Sequence, residues 1–133
     1  MSALRLPLTR ARTAVLALAV GLLVVGCIDQ QGLPPDCDET SVTRDATLTA
    51  TELTPNAIEV CRGQDVTLNI DAQVDGVFHL HGYDDTVPAT SVSSGDELTL
   101  EFAAVRSGQF PIELHPAADP TGVTVGIFTV HEP

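Results

Sequence analysis

From residue 41 onward, apolar and polar positions alternate with a period of two, the mark of half-buried strands. "ATLTATEL", Ala46 to Leu53, carries Leu48 on this period. "AIEVCRGQDVTLNID" holds two such runs around a turn-like break, with Ile58 and Val60 before it and Val66, Leu68 and Ile70 after it. "DELTLEFAA" sets Leu98, Leu100 and Phe102 on one face, "GQFPIEL" does the same with Phe110, Ile112 and Leu114, and "GVTVGIFTV" closes the pattern. Pro55-Asn56, Arg62-Gly63, Asp75-Gly76, Ser94-Gly95, Ser107-Gly108 and Thr121-Gly122 punctuate the runs. Short strands separated by turns at this spacing predict an all-β sandwich or barrel. No helix of ordinary length is predicted after residue 41, and no internal repeat is visible. Phe78, Phe102, Phe110 and Phe128 fall on four different predicted strands and are expected to meet in the core between the sheets.

The same alternation orders the histidines. In "GVFHLHGYDD", Phe78 and Leu80 point one way and His79 and His81 the other. The apolar pair takes the core. The imidazoles then share the opposite face, with Cα atoms roughly 7 Å apart, and both can reach one ion through bonds of about 2.0–2.1 Å. In "GQFPIELH", Phe110, Ile112 and Leu114 claim the core and send Pro111, Glu113 and His115 outward. If the two strands are neighbours, His115 joins His79 and His81. Three neutral imidazoles suit Zn²⁺ or Cu²⁺, with Glu113 or Asp84 as a fourth ligand or supporting acceptor. The alternative is structural: the histidines hydrogen-bond loop carbonyls and carboxylates at one end of the sandwich. His131, near the terminus, is expected to be an exposed bystander. Free imidazoles titrate near pH 6.5, so metal held by them should be lost as pH falls below that value.

The first 26 residues have another texture. "MSALRLPLTRAR" carries Arg5, Arg10 and Arg12 and no acid, and Ala14 to Gly26 is an apolar run of 13 residues. These are the basic and apolar parts of an export signal, too short to span a bilayer comfortably. The run ends in "LVVGC", Leu23 to Cys27, which resembles the lipobox of bacterial lipoproteins. That resemblance implies cleavage after Gly26 and a lipidated Cys27 as the first mature residue, held at the outer face of the cell membrane. An ordinary cleaved signal is the simpler alternative. Residues 27–40, rich in Pro, Gly and acids, read as a short tether, and residues 41–133 as the domain.

All 18 acids follow Gly26, against three arginines (Arg44, Arg62, Arg106) and no lysine, a net of −15 over 107 residues. Such a charge argues against nucleic acid as a partner and against a polybasic membrane patch. It suits a surface domain anchored by lipid. Cys37 and Cys61 remain, and an exported protein with one pair suggests a disulfide. It would close a loop of about 25 residues and contribute roughly 3 kcal/mol. Two free thiols or a metal site are the alternatives.

"EVCRGQDVTLNI" resembles a hairpin of the cupredoxin superfamily, "FHLHGYD" falls where those proteins place their first histidine ligand, and "SGDELTLEFAAVRSGQFPIELH" is similar to the strand and ligand loop that follow. The likeness runs from about Glu59 to Val130 and implies a Greek-key β-sandwich or barrel of cupredoxin type. Small bacterial cupredoxin-like lipoproteins are the nearest relatives it suggests. The departures are as informative. Blue-copper members carry a cysteine where this chain has Leu114; no Cys follows Cys61, and Met1 is the only Met. A type 1 site lacks its thiolate and thioether, and a dinuclear copper site lacks its two cysteines. Only histidines carry over, His79 or His81 for the first ligand and a displaced His115.

Three functional classes follow. The first is a lipid-anchored module binding copper or zinc through histidines, without type 1 electron transfer. The second is a metal-free interaction domain for an envelope protein or polymer, with Tyr83 offered on the Gly82–Glu97 segment as an exposed contact. The third, an enzyme, is not expected: no G-x-S-x-G, H-E-x-x-H, phosphate loop or cysteine nucleophile is present.

Overall fold

The computed structural model describes residues 32–119 and 121–133. The expected leader, Cys27 and the first part of the expected tether lie outside the described residues. Nine strands follow one another: β1 (Ser41–Leu48), β2 (Leu53–Thr54), β3 (Ala57–Cys61), β4 (Asp65–Ala72), β5 (Gly76–Leu80), β6 (Thr90–Val92), β7 (Glu97–Ala103), β8 (Gly108–Pro116) and β9 (Val123–His131). They form a four-stranded sheet in the order β2-β1-β4-β7 and a five-stranded sheet in the order β3-β9-β8-β5-β6. β1 runs parallel to β4 and β3 parallel to β9, while the other pairs are antiparallel. No helix occurs among the described residues. The predicted all-β sandwich is the observed fold.

Alternation explains the core. Leu68 and Ile70 of β4, Phe78 and Leu80 of β5, and Ile112 and Leu114 of β8 are all at most 1% exposed, and their neighbours along each strand are not buried. Phe102, Phe110 and Phe128 meet as expected, with ring centroids 5.5 Å apart for Phe102–Phe128 and 6.5 Å for Phe110–Phe128. Phe78 is buried elsewhere in that core. The register decides this: Phe78 pairs with Leu114, while Phe110 pairs with Phe128, so Phe78 sits four residues along β8, roughly 13 Å from the cluster.

The fourth ring of the cluster is Tyr83, 5.0 Å from Phe110, 5.4 Å from Phe102 and 5.6 Å from Phe128. This corrects the expectation of an exposed contact residue, since Tyr83 is fully buried. Its hydroxyl donates to the Arg106 carbonyl at 3.0 Å and accepts from the Arg106 N–H at 3.3 Å. A tyrosine whose one polar atom is satisfied is free to bury its ring.

A second correction concerns "EVCRGQDVTLNI". β3 and β4 are not a hairpin but lie in different sheets. Gly63, at φ +96°, turns the chain between them, and Gln64 fills the corner at 2% exposure. The Gln64 Oε1 accepts from Cys61 N–H at 2.7 Å, and its Nε2 donates to the Asp36 and Glu39 carbonyls at 2.7 and 3.0 Å. A disulfide joins Cys37 to Cys61. Arg44 pairs with the Asp36 carboxylate at 2.7 Å. The described part of the expected tether is therefore strapped to the sandwich from Pro34 onward.

Truncating the core ring Phe128 to Ala is expected to lower stability by about 3–5 kcal/mol. Val105→Ala, at a residue 59% exposed, should change it by less than about 0.5 kcal/mol. Urea unfolding of both variants checks the contrast, and similar losses would contradict the assigned core.

Candidate metal centre

The site lies on the outer face of the five-stranded sheet. In the β5–β8 ladder, His79 pairs with Glu113, Val77 with His115, Phe78 with Leu114 and Leu80 with Ile112. Burial of the last two pairs forces the first two outward. β5 ends at Leu80, but the His81 N–H still donates to the Pro111 carbonyl at 3.0 Å, which keeps His81 on the same face as His79. On the other side of β8 the register with β9 shifts between Ile112 and Glu113. Such a bulge re-aims the side chain beside it.

The rings of His79 and His81 have centroids 4.0 Å apart, and His115 lies 6.3 Å from His79. All three predicted imidazoles thus share one face. One ligand atom from each of His79, His81 and Asp84 falls within 4.8 Å of the others. Asp84 completes this group by folding back from the loop after β5: one carboxylate oxygen is in close contact with His79 Nε2, and the other accepts from the Gly82 N–H at 3.1 Å. Glu113 lies between the other two histidines, with its Oε2 2.8 Å from His81 Nε2 and 3.6 Å from His115 Nε2. The closest donor group therefore pairs His79 and His81 with Asp84, and His115 stands behind Glu113.

One further observation fits an ion. His81 Nε2 is buried and has no aligned hydrogen-bond partner; Glu113 is near enough for charge pairing but stands off the N–H direction. Gly122, just before β9, packs closely on His115 and Glu113. A Cβ there would fall 2.7 Å from His115 Cε1 and 2.9 Å from Glu113 Oε2. The donors are nitrogen and oxygen, the set that suits Cu²⁺ or Zn²⁺. No thiolate is on offer among the described residues, because Cys37 and Cys61 are joined to each other.

His131 is not the exposed bystander expected. Its side chain is 19% exposed, and its Nε2 lies 3.8 Å from Glu59 Oε2. It pairs with Cys61 across β3 and β9, well along the sheet from the other histidines. Sequence reasoning also missed Gly82 and Gly122. The only signal for Gly82 was its place between His81 and the buried Tyr83, where a φ of +80° favours glycine.

The sandwich resembles several solved copper proteins. A blue copper oxidase from Nitrosomonas europaea matches with a TM-score of 0.56 and 18% identity over 69% of this chain. The multicopper oxidase mgLAC matches with a TM-score of 0.52 and 22% identity over 69%. The fold is cupredoxin-like. This cupredoxin-like chain spans 39% of the length of either oxidase. The metal-binding domain of the Streptococcus pneumoniae D39 Cu(I)-exporting P-type ATPase CopA is nearer in size, matching with a TM-score of 0.51 and 11% identity over 71% of this chain and 89% of that one. No family model matches the sequence, and no curated protein does.

The histidines shape the charge of the site. Contact with His79 holds the Asp84 carboxyl below its ordinary value of 3.8, against a smaller opposing effect of desolvation, with the Gly82 N–H also helping. Contact with His81 holds Glu113 below 4.5, again against desolvation, with the positive potential of His81, His115 and His79 adding to it. A carboxylate whose folded pKa is depressed stabilises the fold fully above its unfolded pKa and loses that contribution as pH falls through the folded value. The cupredoxin-like domain should therefore lose urea resistance as pH falls from about 5 to about 3. An Asp84→Asn, Glu113→Gln double variant should lose less over the same interval, and parallel losses would show that these contacts contribute nothing.

Proposed function

We propose that this chain is a lipid-anchored, extracytoplasmic cupredoxin-like domain that binds Cu²⁺ or Zn²⁺ through histidines and does not carry type 1 electron transfer. The observation that carries the reading is the convergence of His79, His81 and Asp84, with the buried His81 Nε2 lacking an aligned partner. An imidazole nitrogen buried beside two carboxylates and a second imidazole is well placed to be a ligand. The bound ion would supply Lewis acidity or cation storage to an N/O site. His79 and His81 would hold it, Asp84 would close it from the loop, and Glu113, between His81 and His115, would be the supporting acceptor.

The likeness to copper proteins supports the metal reading by analogy. The missing cysteine supports the exclusion of a type 1 centre. Leu23 to Cys27 supports lipid attachment, and the lipid would then be the membrane contact of a domain at the outer face of a bacterial membrane. This chain spans 39% of the length of either matched oxidase, so their activity is not carried over to it.

One observation favours a metal-free reading. His79 contacts Asp84, while His81 and His115 both lie near Glu113, so the face is largely self-neutralising. It would then serve as a polar interaction surface for an envelope protein or polymer.

Isothermal titration decides between the two. The native protein is expected to take up one Cu²⁺ or Zn²⁺ tightly, and the His79→Ala, His81→Ala variant to lose at least about tenfold in affinity, since each lost ligand interaction of about 1.4 kcal/mol is a factor of ten. Equal, weak isotherms for both proteins would remove the metal reading, and partner capture from detergent extracts that resists chelator would favour the second. For the anchor, radiolabelled palmitate supplied to a bacterial host should enter the native chain and not Cys27→Ser. Equal labelling would exclude Cys27 as the lipid site.

A further inference from the structure

Asp84 reaches His79 only because the loop after β5 doubles back within five residues. Gly82 makes the first turn at φ +80°. It is backed so closely by Phe110 that a Cβ would fall 2.5 Å from that ring. The next residue, Tyr83, drives its side chain inward to the aromatic cluster, and Asp84 after it points outward to the histidines. Two features fix that inward ring. Phe102, Phe110 and Phe128 surround it edge-on. The hydroxyl is bonded twice to the backbone of Arg106, in the connection between β7 and β8. The Arg106 guanidinium then lies 5.2 Å over the Tyr83 ring and 3.6 Å from Asp85. From the other side, the Tyr83 carbonyl accepts from the Thr86 and Val87 N–H groups at 2.9 and 2.7 Å.

We propose that Tyr83 is a positioning residue for the metal centre: its hydroxyl, tied to Arg106, holds the 81–84 loop in the conformation that lays the Asp84 carboxylate against His79 and Gly82. The geometry stands whether or not an ion binds; the consequence for affinity rests on the metal reading above. Ring burial alone would need only a phenylalanine. The hydroxyl adds direction, since it links the loop carrying the oxygen ligand to a connection outside the five-stranded sheet. Tyr83 touches none of the donor atoms and acts through Asp84.

The test separates the hydroxyl from the ring. In the full chain held in detergent, Tyr83→Phe should speed amide exchange at Gly82 about tenfold relative to the core amide of Val130, the change expected when ordinary hydrogen bonds that hold a closed loop are lost. Asp84→Ala, at an exposed side chain, should speed the same amide without affecting Val130. Cu²⁺ affinity should fall about tenfold in Tyr83→Phe, and adding Asp84→Ala should cause little further loss, because both changes break one contact. The Cu²⁺ electron paramagnetic spectrum of Tyr83→Phe should resemble that of Asp84→Ala. An unchanged Gly82 rate in Tyr83→Phe overturns the inference, as do additive losses of affinity. Should the native chain take up no Cu²⁺, the metal reading falls, and the Gly82 exchange rates still decide whether Tyr83 holds Asp84.

Discussion

The register of β5 against β8 is the constraint on which the rest depends. Phe78 opposite Leu114 and Leu80 opposite Ile112 give two apolar pairs that must leave water. Each buried side chain of this kind stabilises by about 1.5–3 kcal/mol, while turning the strand over would expose all four and bury histidine and glutamate instead. A slip of one residue would have the same effect, because the pleat has period two. The outward placement of His79, Glu113 and His115 is therefore the far side of a hydrophobic decision. The candidate centre needs no separate folding energy to assemble its strand-borne groups.

What the strands do not supply, the loop after β5 does. A sheet face delivers side chains in rows, and rows alone leave His79 facing Glu113 and solvent. Asp84 comes from outside the row, and its arrival requires a left-handed Gly82 and an anchored Tyr83. The anchor reaches the aromatic cluster, where Phe102 from the four-stranded sheet meets Phe110 and Phe128 from the five-stranded one. Packing between the sheets and the geometry of the outer face are thus connected through a single phenol. At the Cys61 end, the disulfide, the buried Gln64 amide and the Arg44–Asp36 pair close the N-terminal segment over the corner between β3 and β4. The described domain then begins from a fixed point.

Much of this was legible in advance. Strand parity at "VFHLHG" and "QFPIELH" placed the inward and outward sets correctly, because burial of alternate apolar residues is a local consequence of the pleat. The Cys37–Cys61 disulfide was expected once the lipobox resemblance set Cys27 aside, and the structure has it. Misreadings arose where a residue's environment came from distant chain. Tyr83 looked like an exposed contact among polar neighbours, yet a hydroxyl partner 23 residues away allowed its burial. The cupredoxin resemblance made "EVCRGQDVTLNI" a hairpin, but its two runs found partners in β9 and in β1 and β7. His131 looked free because nothing local hinted at β3 beside it.

The division between the two levels is physical. Composition and alternation alone determined an acidic all-β domain and its inward and outward faces. These depend on residue chemistry and on the two-residue period of a strand, both of which are local. Tertiary structure decided which strands are neighbours, that Asp84 and not His115 stands closest to the His79–His81 pair, and that His81 Nε2 is enclosed without an aligned partner. Those depend on ladder register, on a bulge and on a loop held from across the sandwich, and contacts between segments remote in sequence leave no periodic trace in the chain.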